Sequence, residues 1–512
     1  MDVRTTKTGS GNTVVQVVER YNHQTKIIKH FGSAKSTKEL NTLITLAKQY
    51  IRESNNTLPL FPEILKETEK THLVSIDHLT FTKTYHQFAY EFFSFFYARS
   101  GFDIIHNSIL KDLAIIRLIE PASKFTSLEL LKEYFNIHYG HTTFYKALKE
   151  LPDQKEIIET VAINYAQKYL SFDFSLVFYD VTTLYFESFK ADEDMRDENG
   201  EVIEGLRKPG FSKDNKPQQP QIMIGLVVNN DGYPIAIETF SGNTFEGHTM
   251  IPIIQKLQKK HTIHTLTIVA DAGMLSKKNI EDIEASGLTY IVGARLGNIP
   301  MKTLKEISQE LNKTEGVYSR MALPYGLLIC DYSKKRAAKD RSDRNKQFKK
   351  AEYQIQNPEK TKRRTRFVTE ESKSTIRLNT ELIIKDELKE GLKGYYTNLE
   401  YTDNELIIAR YKDLWHVEKS FRIAKSDLEA RPIFHHKKDS IEAHILIVFV
   451  SLCLAKSIEL VSNLSIKKVK KSIWPILDIE FKDTLTNQTF VKRMHVDANP
   501  MADLLKKLLH AY

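Results

Sequence analysis

Asp180 stands in the middle of an unbroken apolar and β-branched run, residues 174–186. A charged group in such a run is costly to bury unless it is paired or bound to a metal. Asp271 closes a second run, Ile268-Val269-Ala270-Asp271-Ala272-Gly273. Strand ends of this kind are where open α/β sheets expose reactive groups. Glu418 is the third acid. Tyr411, Glu418 and Lys425 recur at a spacing of seven, which on one helix makes a narrow stripe drifting about 20° per step. Leu414, Phe421 and Leu428 form the apolar seam beside it. Taken singly, each aspartate reads equally well as a turn former or helix cap, and the glutamate as an incidental surface charge. Together, three carboxylates on separate elements match the oxygen ligands of two Mg2+ (or Mn2+) ions about 3.5–4 Å apart. Such a pair activates a water or a 3′-hydroxyl and stabilises the leaving oxygen of a phosphoryl transfer. Basic residues beside the acids would hold a nucleic-acid backbone.

Several elements must bring these residues together. The run 174–186 predicts a strand buried on both faces. Strands at 220–229 and 234–240 flank an Asn230-Asp231-Gly232 turn, a hairpin signal. Helices at 248–260 and 276–286 alternate with strands at 265–271 and 288–294. The economical arrangement is a mixed sheet with helices on its faces. Residues 403–427 predict one long helix carrying the seven-spaced stripe, and 438–460 another, buried in the core.

The flanking segments are less regular. Residues 13–32 predict a hairpin around Tyr21-Asn22-His23-Gln24, followed by a helix at 36–53. Residues 85–160 are helical and fit either a helix-turn-helix or an ordinary bundle. Residues 295–395 interrupt the strand–helix rhythm with a basic run: Lys334, Lys335, Arg336, Lys339, Arg341, Arg344, Lys346, Lys349 and Lys350, then Lys360, Lys362, Arg363, Arg364 and Arg366. Strand-like edges at 324–331 and 379–385 suggest a partly β insertion with a cationic surface; a solvated helix or a flexible loop is the alternative. The expected division is 1–75 (hairpin and helix), 76–165 (helical, a possible DNA-binding domain), 166–300 (core, first part), 301–395 (basic insertion), 396–460 (core, second part) and 461–512 (helical tail).

Composition narrows the class. The 512 residues are 41% hydrophobic and 27% charged, which indicates folded, multidomain protein rather than disorder. The net charge of +9 favours a polyanionic partner, though weakly at this length. Cys330 and Cys453 both sit in apolar runs and read as small buried hydrophobes, with no zinc or disulfide spacing. The first ten residues lack a signal-peptide core. The apolar stretch Ile445–Ala455 is too short to span a bilayer, so no membrane association and a cytoplasmic setting are expected. His248, His416, His435 and His444 make no ligand spacing and read as hydrogen-bonding histidines.

These motifs in combination resemble the DDE transposases of bacterial insertion sequences, the insertion sequence 4 superfamily, and most closely its insertion sequence 1634-like branch. Tyr411, Glu418 and Lys425 match the family's signature of Tyr, two residues, Arg, three residues, Glu, six residues, Lys. Leu414 occupies the Arg position, and Arg422, one turn beyond Glu418, could substitute. The resemblance extends over roughly residues 80 to 460. It includes the segments Phe178–Ser188, Gly242-Asn243-Thr244, Val269–Met274 and Glu418–His435. It implies an α/β, ribonuclease H-like mixed-sheet core with a β-rich basic insertion and a helical N-terminal region. Asp180, Asp271 and Glu418 would bind the metals, while Tyr411 and Lys425 would contact phosphates near the scissile bond. Further contacts would come from Arg422, Lys334, Lys335 and Arg336. The partners it implies are double-stranded DNA (inverted-repeat ends and target) and a second copy of the chain in a synaptic complex. A ribonuclease H-fold nuclease or resolvase, and a DNA-binding derivative that has lost catalysis, remain as alternatives. The filled acidic positions argue against the second of these.

Overall fold

The computed structural model describes residues 1–9, 11–21, 24–54, 76–196, 200–213, 215–261, 263, 265–274, 276–358, 364–370, 376–494 and 499–510. They divide into two compact units: Met1–Phe92 with Glu129–His138 and Lys468–Tyr512, and Phe93–Leu128 with Tyr139–Lys467.

In the first unit, strands Asp2–Lys7, Thr13–Tyr21 and Gln24–Ala34 form an antiparallel sheet. Helix Thr37–Ser54 closes a small core on it: Val15, Val17, Phe31 and Ala34 against Leu43 and Ala47. The predicted hairpin and helix are both present, with Asn22 and His23 of the turn outside the described residues. The C-terminal tail corrects the expectation of a purely helical segment. Asp478–Asp483 pairs with Thr489–Arg493 and with Leu79–Tyr85 as a second antiparallel sheet. Ile479 and Phe481 alternate with charged neighbours there, a period of two that favours strand over helix. Arg493 ties this sheet down through Asp478 (2.8 Å) and Glu91 (2.7 Å).

The second unit is built on one eight-stranded mixed sheet. Its strands are β1 (Leu176–Tyr185), β2 (Gln221–Val228), β3 (Pro234–Ser241), β4 (Thr267–Ala270), β5 (Thr289–Gly293), β6 (Tyr318–Leu323), β7 (Gly326–Tyr332) and β8 (Leu392–Thr397). They lie in the order β6-β7-β8-β5-β4-β1-β2-β3. β1, β4 and β5 are parallel; β2 runs antiparallel to β1, and β3 antiparallel to β2. Within β1 only Asp180 and Tyr185 are partly exposed, as a strand covered on both faces requires. The β2–β3 turn is locked by the Asn229 side chain, which accepts from the amides of Asp231 (3.0 Å) and Tyr233 (2.8 Å). Gly232 holds φ +76° in it, a conformation that costs a residue with a Cβ.

Helices cover the sheet: α1 (Ser108–Ile119), α2 (Lys155–Tyr169), α3 (Met250–His261), α4 (Lys277–Ala285), α5 (Met301–Leu311), α6 (Lys334–Gln356), α7 (Thr380–Leu388), α8 (Asn404–Lys412), α9 (Trp415–Arg422) and α10 (Lys438–Ser462). α10 is long and apolar enough to cross a membrane by length and composition, yet most of it is buried, against α1 and β3. It is the core helix expected from the sequence.

The region 295–395 is partly β, as expected, with Gly326–Tyr332 covering the predicted strand at 324–331 and Val368–Glu370 pairing with Ile376–Leu378, but it is not a separate β subdomain. β6, β7 and β8 extend the core sheet. The basic run from Lys334 is the 23-residue helix α6. Strong helix formers dominate it and Ile355, in its last turn, is its one β-branched residue, so local preference favours helix. Residues 379–385 also form helix rather than strand. The Asn379 side chain accepts from the Leu382 amide (3.0 Å) and Glu381 lies in the first turn, an N-terminal signal that outweighs the Leu-Ile-Ile run. A satellite core of Ala351, Phe367 and Val368 joins α6 to this region.

The segment 403–427 is not one helix. α8 ends at Lys412. The next amides bond back three residues, Leu414 to Tyr411 and His416 to Asp413, before α9 resumes. Residues Ile423–Asp427 then form a π-turn. The chain is overwound and then underwound, so the seven-residue stripe is redirected.

Candidate active site

β1 and β4 fix the first two acids. Ala270 pairs with Tyr179, so the register sets Asp271, the residue after β4, beside Asp180. Asp180 Oδ1 accepts from the Val181 amide at 2.7 Å. Burial raises the Asp180 carboxyl from its ordinary range to about 6; the Lys213 ammonium and the Val181 amide oppose this, while Asp271 and Glu418 add to it by repulsion. Three carboxylates from β1, the β4 end and α9 therefore share one electrostatic neighbourhood.

α9 is held over β1 and β2. Ser420 Oγ donates to the Gly232 carbonyl (2.7 Å), and Val417 and Phe421 are buried beneath. Glu418 projects from the exposed face in its first turn. Tyr411, at the end of α8, is buried and its hydroxyl donates to Asp271 Oδ1 at 3.2 Å. Burial, then the Asp271 charge, raises the Tyr411 phenol above its ordinary value. Gly293 ends β5 where a Cβ would collide with the Tyr411 hydroxyl, so glycine there makes the tyrosine's reach possible.

The π-turn carries Lys425 into the site. Burial, then Lys213, lowers its ammonium to about 8, and Asp180 works in the other direction. Leu414, at the expected Arg position, is buried. Arg422 is exposed. The basic cluster divides at the start of α6. Arg336 lines a cleft of about 660 Å³ together with Asp271, Tyr411, Lys393, Arg344 and Lys350. Lys334 and Lys335 are exposed and do not line it.

Sequence reasoning missed four participants. Lys213 comes from the polar loop before β2. Its ammonium bonds the Val181 carbonyl (2.8 Å) and pairs with Glu246 (2.9 Å). Glu246 follows Gly242-Asn243-Thr244, and a Cβ on Gly273 would lie 3.0 Å from its carboxylate, so it overhangs the Asp271 loop. Lys393, on β8, stands 4.5 Å from the Tyr411 ring centroid. Gly293 is the fourth. The Glu246 segment carried a weak signal in its proximity to the third strand; the others have none without the fold. His444 behaves as read, buried and bonded to Ala430 O (3.0 Å), whereas His416 Nδ1 is buried with no hydrogen-bond partner among the described residues. Both cysteines are buried and free.

An oxygen-only donor set with mutual repulsion suits a hard divalent cation, which would relieve that repulsion. Among the described residues no three His, Cys, Asp or Glu side chains are already gathered into a ligand cage.

Residues 172–454, more than half of the chain, match the model of the transposase DDE domain, and the chain belongs to that family. It is thus a DDE transposase by family. Among solved structures, the chain is similar to a piggyBac transposase synaptic complex with hairpin DNA at 11% identity, covering 72% of this chain and 70% of that one, with a TM-score of 0.38. A Mos1 mariner paired-end complex with Mn gives 16% identity, covering 32% and 48%, with a TM-score of 0.15. No curated protein matches the chain.

Proposed function

We propose that this chain is a cut-and-paste transposase of the insertion sequence 4 superfamily, insertion sequence 1634-like branch, that cleaves the ends of its element and joins them to target DNA. Asp180, Asp271 and Glu418 are its catalytic carboxylates. The observation that carries this reading is the raised Asp180 carboxyl, which feels acids from two other elements. The order β3-β2-β1-β4-β5, in which β2 alone runs antiparallel to β1, supports a ribonuclease H-like core.

Asp180, Asp271 and Glu418 would hold Mg2+ or Mn2+, two ions in the working complex, and these supply Lewis-acid activation of the attacking and leaving oxygens. The protein's own groups position the reaction. The Tyr411 hydroxyl orients the Asp271 carboxylate. Lys425 and Lys213 place positive charge beside Asp180, where a scissile phosphate would lie. Arg336 and Lys393 continue that charge along the cleft, so a DNA backbone is drawn along it. Arg422, Lys334 and Lys335, more exposed, would contact DNA further out. Two copies of the chain would act on paired ends, in the cytoplasm, at the nucleoid.

The test is a gel-shift and strand-transfer assay on DNA bearing the element's terminal repeats. End-specific binding with Mg2+-dependent joining is expected. Cleavage without end preference would replace this reading with a nuclease, and binding without any cleavage would replace it with a DNA-binding derivative.

A further inference from the structure

A second cluster of basic groups lies in the same unit, at the start of α10. Arg117 and Lys124 are both buried. The Arg117 guanidinium is used by backbone: it donates to the carbonyls of Leu428 (2.7 Å), Glu429 (3.2 Å) and Ala122 (3.2 Å). Lys124 is different. Its ammonium lies 3.3 Å from His444 Nδ1, while His444 Nε2 lies 3.0 Å from Ala430 O. That pattern assigns the ring as neutral, with Nε2–H donating to the carbonyl and Nδ1 accepting from Lys124. One of three ammonium donors is thus used, by an uncharged partner. Among the described residues no carboxylate pairs with Lys124. A lysine 5% exposed without a counter-charge is expensive to keep in its charged form.

Lys124 lines a cavity of about 210 Å³, with Lys149, His435, Lys437, Asp439 and Ser440 around it. Lys437 precedes α10 and provides no side-chain cap. The Ile441 amide is the first to bond back, to Lys437 O (3.0 Å), so the amides of the first turn are available. The open N-terminus of a 25-residue helix carries partial positive charge and suits oxyanions. The one acid in the lining, Asp439, is exposed at the rim. Burial lowers Lys124 well below its usual range and His435 to about 4; an anion would reverse both effects.

We propose that this cavity is an anion site that seats a phosphate, in the working enzyme a backbone phosphate of DNA, apart from the carboxylate cluster. The assignment to DNA rests on the transposase reading; the anion site does not. Lys124 supplies the buried charge, the first-turn amides of α10 the directional donors, and Lys149 and Lys437 the rim.

The experiment uses the full chain in two assays: calorimetric titration with inorganic phosphate, and duplex DNA binding as a function of salt. Wild type binds phosphate at one site per chain. Lys149→Ala with Lys437→Ala, both exposed and so harmless to folding, weakens phosphate binding about tenfold; Lys124→Met abolishes it; Asp439→Asn tightens it. The double variant also lowers the log–log salt slope for DNA by about 1 or more. Unchanged phosphate binding in the double variant and in Asp439→Asn overturns the site. Weakened phosphate binding with an unchanged DNA slope overturns the assignment to DNA and leaves a free-phosphate site. Wild type that binds phosphate but not DNA overturns the transposase reading instead.

Discussion

Removing one carboxylate from the cluster is expected to stabilise the metal-free protein. Asp180→Asn deletes a carboxyl raised from 3.8 to about 6 by burial and by its acidic neighbours. A group whose folded pKa lies above its unfolded value contributes stability that is fully present below the unfolded pKa. That contribution is lost as pH rises through the folded one. The interval here runs from pH 3.8 to about 6. Above it the wild-type chain carries the whole cost, about 3 kcal/mol at 1.36 kcal/mol per pH unit. At pH 5 the cost is about half that by the same linkage. The asparagine variant has no such term. Its stability advantage therefore grows by roughly 1.4 kcal/mol between pH 5 and pH 8. Differential scanning calorimetry with a chelator at both pH values measures it, as a gap in melting temperature that widens by about 2 °C for a unit of this size. Added Mg2+ is expected to narrow the gap at pH 8, because it stabilises only the chain that keeps all three acids. A gap that is constant or shrinks with pH, or a variant less stable than wild type at pH 8, would refute the electrostatic argument.

Three other outcomes are expected. Tyr411→Phe removes the hydroxyl on Asp271 and should slow cleavage about tenfold, in line with a hydrogen bond of about 1.4 kcal/mol, with DNA binding intact; a rate equal to wild type would remove the positioning role. Arg336→Ala with Lys393→Ala, in the cleft beside Asp271, should weaken DNA binding and its salt dependence more than Lys334→Ala with Lys335→Ala, and salt titrations reversing that order would mean the backbone runs elsewhere. Asn379→Ala deletes the cap of α7 and should cost about 1 kcal/mol in denaturant unfolding; no measurable loss would show that packing alone holds that helix.

The parts of the fold that were legible in the sequence are those where local pattern and tertiary role agree. The run around Asp180 was unbroken because β1 is buried on both faces, and Asn230-Asp231-Gly232 marked its hairpin because only that chemistry fits the turn. Asp180 and Asp271 stood out for the same reason: a carboxylate inside or closing an apolar strand contradicts its surroundings. The failures have the opposite origin. Thr380–Leu388 has strand-like residues but a helix cap, and the cap prevailed. The basic run carries helix-forming residues all round, so charge drew attention where propensity decided. Tyr411, Glu418 and Lys425 were placed on one ideal helix; tight bonds after Tyr411 and the π-turn at Lys425 are departures no heptad count reveals. Lys213, Glu246, Lys393 and Gly293 come from loops and strand ends that only the closed sheet brings to Asp180 and Asp271.

The claim underneath is that acids from β1, β4 and α9 act as one catalytic set. The most direct measurement is cleavage of terminal-repeat DNA in Mg2+ by Asp180→Asn, Asp271→Asn and Glu418→Gln, each beside a binding control. The account predicts that all three lose cleavage while still binding the ends. Strand transfer surviving in any one of them would take that residue out of the set.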